Sequence, residues 1–177
     1  ASLTSVDPTQ QPVPESLLDR VLAALGWGRS ELDTQIAPVN AYAGAWHLVI
    51  AARDLDRLNR LSYDFDALQQ LMLAHELTTL QLISRESDTV FHARDPFPVG
   101  GVVEDPATGA AAAALGGYLR DAGLVRTPTT VVVRQGEAMG RPSRLLVDIP
   151  SSGGIIVSGH AVQLPADYPP IARRASV

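Results

Sequence analysis

A helix that is almost free of charge constrains the fold of this chain more than any other feature. The stretch VVEDPATGAAAAALGGYL, residues 102–119, sets two acids, a proline and a glycine directly before five consecutive alanines. A helix that is apolar on nearly all sides is a buried helix. Its small side chains also allow strands to approach closely from several directions. The pattern therefore predicts a curved sheet wrapped around a helix that runs from Pro106 to Ala122.

The composition of the 177 residues limits the chemistry that is available. The net charge of −5 and the pI near 5.2 argue against nucleic acid and anionic membranes as partners. Cysteine and lysine are both absent, which excludes disulfides, zinc–thiolate sites, thiol nucleophiles and a Schiff-base lysine. No apolar run is long enough to span a bilayer and no signal-peptide pattern is visible, so a cytoplasmic protein is expected.

Local patterns divide the chain into three parts. Residues 1–13 hold two prolines and no apolar periodicity, which predicts a linker or extended arm. Residues 14–165 predict four helices and roughly seven strands without a regular alternation, and residues 166–177 predict an irregular tail. This order favours an α+β fold with a mixed, mostly antiparallel sheet rolled around the central buried helix, and it argues against a Rossmann domain.

The helices have recognisable boundaries in the sequence. An amphipathic helix follows Pro14 and ends at Gly26, since glycine commonly stops a helix. Two further helices are each preceded by an aspartate in a capping position, Asp54 and Asp64. These signals predict three helices before the alanine-rich one.

The start of the alanine-rich helix has the features of an anion site. The sequence predicts Asp105 at the N-cap, Pro106 at the first helical position and Thr108 two positions further on. First-turn amides carry a partial positive charge, and the small residues Gly109 and Ala110 leave room for a substrate carboxylate. Asp105 beside them could hold or pass a proton. The alternative is that Asp105 merely caps the helix and the alanines merely pack.

Two motifs resemble one known family. The segment RDPFPVGGVVEDPATGAAAAALGGYL, residues 94–119, is followed by QGEAMGRPS, residues 135–143. Together they resemble the second half of the PhzF-like isomerases of phenazine biosynthesis, whose pattern has an arginine, a phenylalanine, EDPATGSA and a later QG–MGRPS. The resemblance extends more weakly over residues 14–164, so it covers most of the chain.

The resemblance implies a fold and an activity. The family shares its fold with diaminopimelate epimerase and proline racemase, which have two similar lobes, each a sheet rolled around a central helix. The active site lies between the lobes, with both helix N-termini facing the substrate. An enzyme of this kind moves a proton on a small carboxylate-bearing substrate without cofactor or metal. The motif match implies a catalytic Asp105, with Thr108, Gly109 and Ala110 in the substrate-binding turn.

This chain also departs from the family pattern. It matches only the second, C-terminal lobe and contains no counterpart of the catalytic glutamate that the family carries in the first lobe. In addition, Ala110 stands where the family has a serine. Two functions therefore stay open: the C-terminal lobe of an isomerase completed by a first lobe, or a non-catalytic degenerate half-protein or binding module that keeps the anion-binding helix. The expected protein partner is a second copy of the chain or a complementary first-lobe chain.

Other polar residues are weaker candidates. Arg141 and Ser143 in the GRPS motif suit a tight turn better than a substrate contact. Glu104 could act as a base, but Arg94 is expected to pair with one of the neighbouring acids. His160 is more typical of a structural or solvated histidine.

The remaining histidines do not suggest a metal centre. His47, His75 and His92 stand at no metal-ligand spacing, so no metal site is predicted.

Overall fold

The computed structural model describes residues 1–161 and contains four α-helices within that range. They are α1 (Glu15–Leu25), α2 (Leu55–Asn59), α3 (Phe65–Ala74) and α4 (Gly109–Asp121). The capping predictions are confirmed, because the Asp54 carboxylate accepts from the amide of Arg57 and the Asp64 carboxylate from that of Ala67. Gly26 ends α1 in the left-handed conformation.

The same residues contain ten strands: β1 (Ser2–Thr4), β2 (Thr9–Pro12), β3 (Val39–Tyr42), β4 (Trp46–Ala51), β5 (Leu77–Ser87), β6 (Val90–Pro96), β7 (Glu104–Asp105), β8 (Thr129–Gln135), β9 (Ser143–Ile149) and β10 (Ile156–Ser158). Nine of them form one path in the order β1-β10-β9-β8-β6-β5-β4-β3-β2, and β7 pairs with β6 beside it. The pairs β4–β5 and β6–β8 are parallel and the others antiparallel. The predicted mixed, mostly antiparallel sheet is confirmed.

The order of the strands requires the sheet to curl. Strands β1 and β2 form its opposite edges, although only residues 5–8 separate them in the chain. A flat sheet of nine strands would be about 38 Å wide. The connection from Thr4 to Thr9 can span at most about 18 Å. The two edges are therefore drawn towards each other.

Helix α4 occupies the inside of the curl. It packs against β2 and β3 near one edge, against β9 and β10 near the other, and against β4 and β5 between them. Its small residues allow these close contacts: a Cβ on Gly117 would lie 2.3 Å from Cβ of Pro8, and a Cβ on Gly116 would lie 2.9 Å from a methyl of Val147. The expected α+β lobe with a sheet rolled around a buried helix is confirmed.

Two apolar clusters hold the lobe together. The inner cluster joins α4 to the concave face of the sheet and includes Phe91, Leu115 and Val133. The outer cluster packs α1 and α3 against the other face of the sheet, through Leu25, Met72 and other buried side chains. The helices thus cover the two faces of one sheet, as expected for a layered domain.

The sequence predicts that both ends of the chain lie outside the lobe, residues 1–13 as a linker or extended arm and residues 166–177 as an irregular tail. Residues 1–13, expected to form a linker or extended arm, are extended but contribute β1 and β2 to the sheet. Pro12 is compatible with β2 because that strand lies at an edge. The predicted tail at residues 166–177 lies outside the described residues. Within residues 1–161, no helix has the length and apolar character needed to cross a membrane.

Candidate active site

The candidate site is the turn that leads from β7 into α4. The helix begins at Gly109 with Thr108 at the N-cap, three residues later than the sequence predicts. Asp105 is therefore not the cap, and this expectation is corrected. The reason is tertiary, because Glu104 and Asp105 are extended and pair with Pro96 and Asp95 at the end of β6.

The first turn of α4 leaves backbone amides available. The Thr108 amide donates to Oε1 of Gln135 at 3.1 Å, and the amide of Ala112 makes the first helical bond, to the Thr108 carbonyl at 3.0 Å. The amides of Gly109 and Ala110, which lie between these two residues in the chain, donate to no acceptor within residues 1–161. Such amides at the positive end of a helix can bind an anion.

The approach to these amides is partly covered. Gly109 and Ala110 are both half-buried. A Cβ on Gly109 would lie 3.1 Å from Cδ2 of Leu3, so the Leu3 side chain forms one wall of the helix start. Leu3 itself is 45% exposed. An apolar side chain thus lies beside the half-buried start of the helix.

Thr108 and Gln135 hold Asp105 in place. The Thr108 hydroxyl donates to Oδ2 of Asp105 at 2.7 Å instead of capping a helix amide. Gln135, the last residue of β8, donates through Nε2 to the Asp105 carbonyl at 2.7 Å and to Oγ1 of Thr108 at 2.9 Å. Asp105 is partly exposed, whereas Thr108 and Gln135 are buried. The arrangement presents one aspartate at the helix start and fixes it from behind.

The GRPS turn locks the same loop from the other side. The Ser143 hydroxyl donates to the Pro106 carbonyl at 2.8 Å. Gly136 has a φ of 77°, and a Cβ there would lie 2.8 Å from that same carbonyl and 2.3 Å from the carbonyl of Arg141. The expected tight turn is present, and the amide of Arg141 closes it on the Gly136 carbonyl at 3.0 Å. The GRPS and EDPATG motifs are therefore in direct contact.

Glu104 is engaged in an ion pair. Arg94 donates to Glu104 through two hydrogen bonds, from Nε to Oε1 at 3.0 Å and from Nη2 to Oε2 at 2.6 Å. The Glu104 side chain in this bidentate pair is only 5% exposed. Arg94 also donates to the carbonyls of Leu58 and Asn59 at the end of α2. The expected pairing of Arg94 with an acid is thus found at Glu104, and a carboxylate held in this way is poorly suited to act as a base.

A second aspartate, Asp95, lies behind the site and was not among the residues predicted from the sequence. It has no exposed surface, and burial raises its pKa well above the usual value, with the neighbouring charges of Asp105 and Glu104 acting in the same direction. Gln81, with its amide nitrogen turned towards Asp95, donates to the two carboxyl oxygens at 2.7 and 3.0 Å. Nothing in the local sequence distinguishes this residue, because aspartate is rarely fully buried.

Within the described residues, no hydrogen bond joins a histidine to the start of α4. His47 is fully buried and its Nδ1 lies 2.8 Å from the Thr79 hydroxyl, and burial lowers its pKa to about 4. His92 bonds to Glu86 at 2.6 Å. His160 is exposed and follows the end of β10. Within residues 1–161, no group of three or more potential ligands is arranged to hold a metal ion.

A curled mixed sheet around a helix, with an EDPATG turn at the helix start, defines the PhzF-like class of protein. The chain belongs to the phenazine biosynthesis-like protein family, whose family model matches residues 6–166. An uncharacterized isomerase from Mesorhizobium japonicum is 31% identical over 157 residues, which cover 80% of this chain and 51% of that protein. The chain spans about half the length of the curated relatives it matches.

Solved structures show the same fold. A protein described as a predicted epimerase from Pseudomonas aeruginosa superposes with a TM-score of 0.76 at 25% identity, over 90% of this chain and 54% of that protein. A PhzF-family phenazine biosynthesis protein from Bacillus anthracis superposes with a TM-score of 0.73 at 17% identity, over 88% of this chain and 56% of that protein. The lobe fold expected from the resemblance is therefore confirmed.

Proposed function

We propose that this chain is the C-terminal lobe of a cofactor-independent isomerase that moves a proton on a small carboxylate-bearing substrate. The observation that carries the proposal is the α4 start, where two amides that find no acceptor among residues 1–161 lie beside a fixed, partly exposed aspartate. An anion site next to a proton acceptor suits a substrate whose reacting carbon adjoins its carboxylate.

In the proposed complex the substrate carboxylate accepts from the amides of Gly109 and Ala110. Carboxylate charge is favourable at this end of the helix. Thr108 was predicted to bind substrate directly, but its hydroxyl is engaged by Gln135 and Asp105. We therefore assign Thr108 to holding Asp105 and leave the contact with the substrate to the two amides.

In the proposed reaction Asp105 exchanges a proton with the substrate. The C–H bond next to the carboxylate breaks, its electron pair delocalises into the carboxylate, and the proton passes to Asp105. Return of a proton to another carbon, or to the other face of the same carbon, completes the isomerisation. Hydrogen bonds to the developing charge from the helix amides lower the barrier.

We further propose that a first lobe faces this one and supplies the family's glutamate. Two exposed apolar side chains support a covering partner: Leu3 is 45% exposed beside Gly109, and Val103 is 55% exposed two residues before Asp105. Apolar groups of this kind next to a site are often covered in a complex. The partner would be a first lobe on the same or another polypeptide, or a second copy of this chain in a two-fold dimer.

A binding module without catalysis is the second candidate function. The observation that favours it is Ala110, which brings no hydroxyl to the helix start where the resembling family has a serine. Such a module would keep the carboxylate site and lose proton transfer. The two candidates agree on binding and differ only in the role of Asp105.

Binding is tested by titrating the isotope-labelled chain with benzoate, a simple cyclic carboxylate, and following the amide resonances. The proposal predicts that the amides of Gly109 and Ala110 shift most, while those of Gly116 and Gly117 further along the same helix serve as internal controls. Sulfate should compete, since it would occupy the same site. Shifts confined to other parts of the chain, or none up to high benzoate concentration, would contradict the carboxylate site.

A further inference from the structure

A cavity lies at the end of α4 that is far from Asp105. It has a volume of about 580 Å³, which is within the usual range of small-molecule sites. Arg85 and Asp88, at the β5–β6 turn, line one side, and residues 123–126, which follow α4, line the other. We call it the arginine cleft. Since α4 contains 13 residues, its two ends are about 20 Å apart, and the cleft is separate from the candidate active site.

The walls of the arginine cleft are fixed to the core of the lobe. Arg85 donates through Nη2 to the Leu124 carbonyl at 3.4 Å and through Nε to the Ser87 carbonyl at 3.3 Å. Its guanidinium carbon lies 6.0 Å from the centre of the fully buried Phe91 ring. On the other side, Leu124 and Val125 pack against the inner apolar cluster. The cleft is therefore shaped by the fold before any ligand enters, as is usual for small-molecule sites.

The charges in the cleft favour an anion. Two guanidinium groups and one carboxylate leave its lining with a net charge of +1, although the whole chain carries −5. The carboxylate of Asp88 accepts from Nη2 of Arg85 at 2.9 Å, but the Asp88 side chain is 96% exposed. An ion pair with so exposed a partner contributes little, so a ligand can displace it.

The two arginines keep donors for a ligand. Arg126 is exposed, and its side chain makes no ion pair or hydrogen bond with any of residues 1–161. Nη1 of Arg85 also donates to no acceptor in that range. Both guanidinium groups line the same cleft and can therefore bind one anion together.

The chemistry of the lining indicates an organic phosphate. A phosphate has three oxygens with which it can accept from two guanidinium groups at once, whereas a carboxylate has only two. The cleft is much larger than a phosphate group, and Leu124 and Val125 offer apolar surface for the rest of the ligand. The hydroxyls of Thr89 and Thr129 lie in the same lining.

We propose that the arginine cleft is a second ligand site, which binds a small organic phosphate between Arg85 and Arg126. The phosphate accepts from both guanidinium groups and takes the place of the Asp88 carboxylate on Arg85. The apolar part of the ligand contacts Leu124 and Val125. This site is independent of proton transfer at Asp105.

The test titrates the whole isotope-labelled chain with phenyl phosphate at about pH 8 and follows the amide resonances. The amides of Thr89 and of residues 123–126 should shift and saturate together. Inorganic phosphate, which lacks the apolar group, should bind there about fivefold more weakly. Benzoate, with one negative charge and two oxygens, should also bind there about fivefold more weakly.

Variants assign the binding to the two arginines. R126Q should weaken phenyl phosphate binding by about fivefold or more, and it is the decisive variant because Arg126 is exposed and holds no described side chain in place. D88N should strengthen binding about twofold, since it removes the competitor for Arg85. R20Q makes the same change in charge at an exposed arginine on α1 and should leave binding unchanged.

The outcomes are separate from those of the proposed function. Shifts at Gly109 and Ala110 report on the start of α4, and R126Q should leave them unaltered. The inference is overturned if phenyl phosphate shifts no amide of the cleft at millimolar concentration, or if R126Q binds it as tightly as R20Q. Equal binding of benzoate would overturn the choice of a phosphate, and equal binding of inorganic phosphate would overturn the apolar contact.

Discussion

Asp95 and Asp105 lie directly opposite each other in the β6–β7 pairing, yet one is fully buried and the other partly exposed. The Thr108 hydroxyl donates to Oδ2 of the partly exposed Asp105 at 2.7 Å. Burial raises the pKa of the Asp95 carboxyl well above its usual value. Asp105 lies in the turn that leads into α4, and Asp95 lies opposite it at the end of β6.

Replacing Asp95 should change stability in a pH-dependent way. Burial raises the pKa of Asp95 in the folded chain above the ordinary aspartate pKa of 3.8. The contribution of the neutral Asp95 to the free energy of unfolding is therefore lost as the pH rises from 3.8 to the pKa in the folded chain. D95N does not titrate, and its stability relative to wild type should therefore grow with pH. Urea unfolding at pH 4 and pH 8 measures this difference. The exposed Asp7 provides the control, D7N, and a D95N difference that is flat or shrinks with pH would refute the buried neutral acid.

His47 should make the fold sensitive to mild acid. Burial lowers its pKa from 6.5 to about 4, so its stabilising contribution is complete above pH 6.5 and is lost as pH falls towards 4. This change in the pKa of His47 corresponds to roughly 3 kcal/mol in the free energy of unfolding. H47Q should remove this part of the pH dependence in urea unfolding curves, while H75Q, at an exposed histidine, should leave it unchanged. Equal pH dependence in H47Q and wild type would show that His47 does not titrate as described.

The Glu104–Arg94 pair should be important for stability. Glu104 is 5% and Arg94 15% exposed, so E104Q leaves a largely buried guanidinium without its counterion. Breaking a buried pair in this way costs about 3 kcal/mol or more. The control E137Q removes a mostly exposed carboxylate 3.5 Å from His92, and should cost under about 1 kcal/mol. Similar unfolding free energies for both variants would contradict the structural role of the pair.

Gly117 should tolerate no side chain. A Cβ there would lie 2.3 Å from Cβ and 2.7 Å from Cγ of Pro8, so G117A forces α4 away from the connection that closes the sheet. Overpacking of this kind costs about 1–3 kcal/mol, despite the better helix propensity of alanine. G28A is the matched control, because a Cβ at Gly28 meets its nearest atom at 3.7 Å. A G117A variant as stable as wild type would show that the closure over α4 is looser than described.

The fold follows from local signals in the sequence to a large extent. The small residues of α4 require burial, the aspartates 54 and 64 mark helix starts, and alternating apolar residues mark the central strands. The pairing of β1 with β10 and of β2 with β3, at opposite edges of the sheet, could not be predicted. Short polar edge strands carry little periodicity, and their partners are distant in sequence.

The site was predictable only in outline. The EDPATG turn and the amides of Gly109 and Ala110 follow from the local sequence, but the helix begins later than expected because β7 pairs with β6. The supports of the turn, Gln135 and Asp95, come from other strands and depend on tertiary contacts. Gln135 had a signal in the QG motif of the resemblance, whereas Asp95 had none, since a buried acid cannot be recognised from its neighbours in sequence.

In the proposed enzyme Asp105 exchanges a substrate proton when a first lobe completes the site. The most direct measurement is the exchange of carbon-bound hydrogen for deuterium in D₂O, with a panel of cyclic amino and hydroxy carboxylates, followed by mass spectrometry. It compares this chain alone with a polypeptide that joins it to the first lobe of the Mesorhizobium japonicum relative. We expect no exchange by the chain alone, exchange by the joined protein, and loss of that exchange in D105N while benzoate binding persists. Exchange by the chain alone, no exchange by the joined protein, or an undiminished rate in D105N would contradict the proposed function.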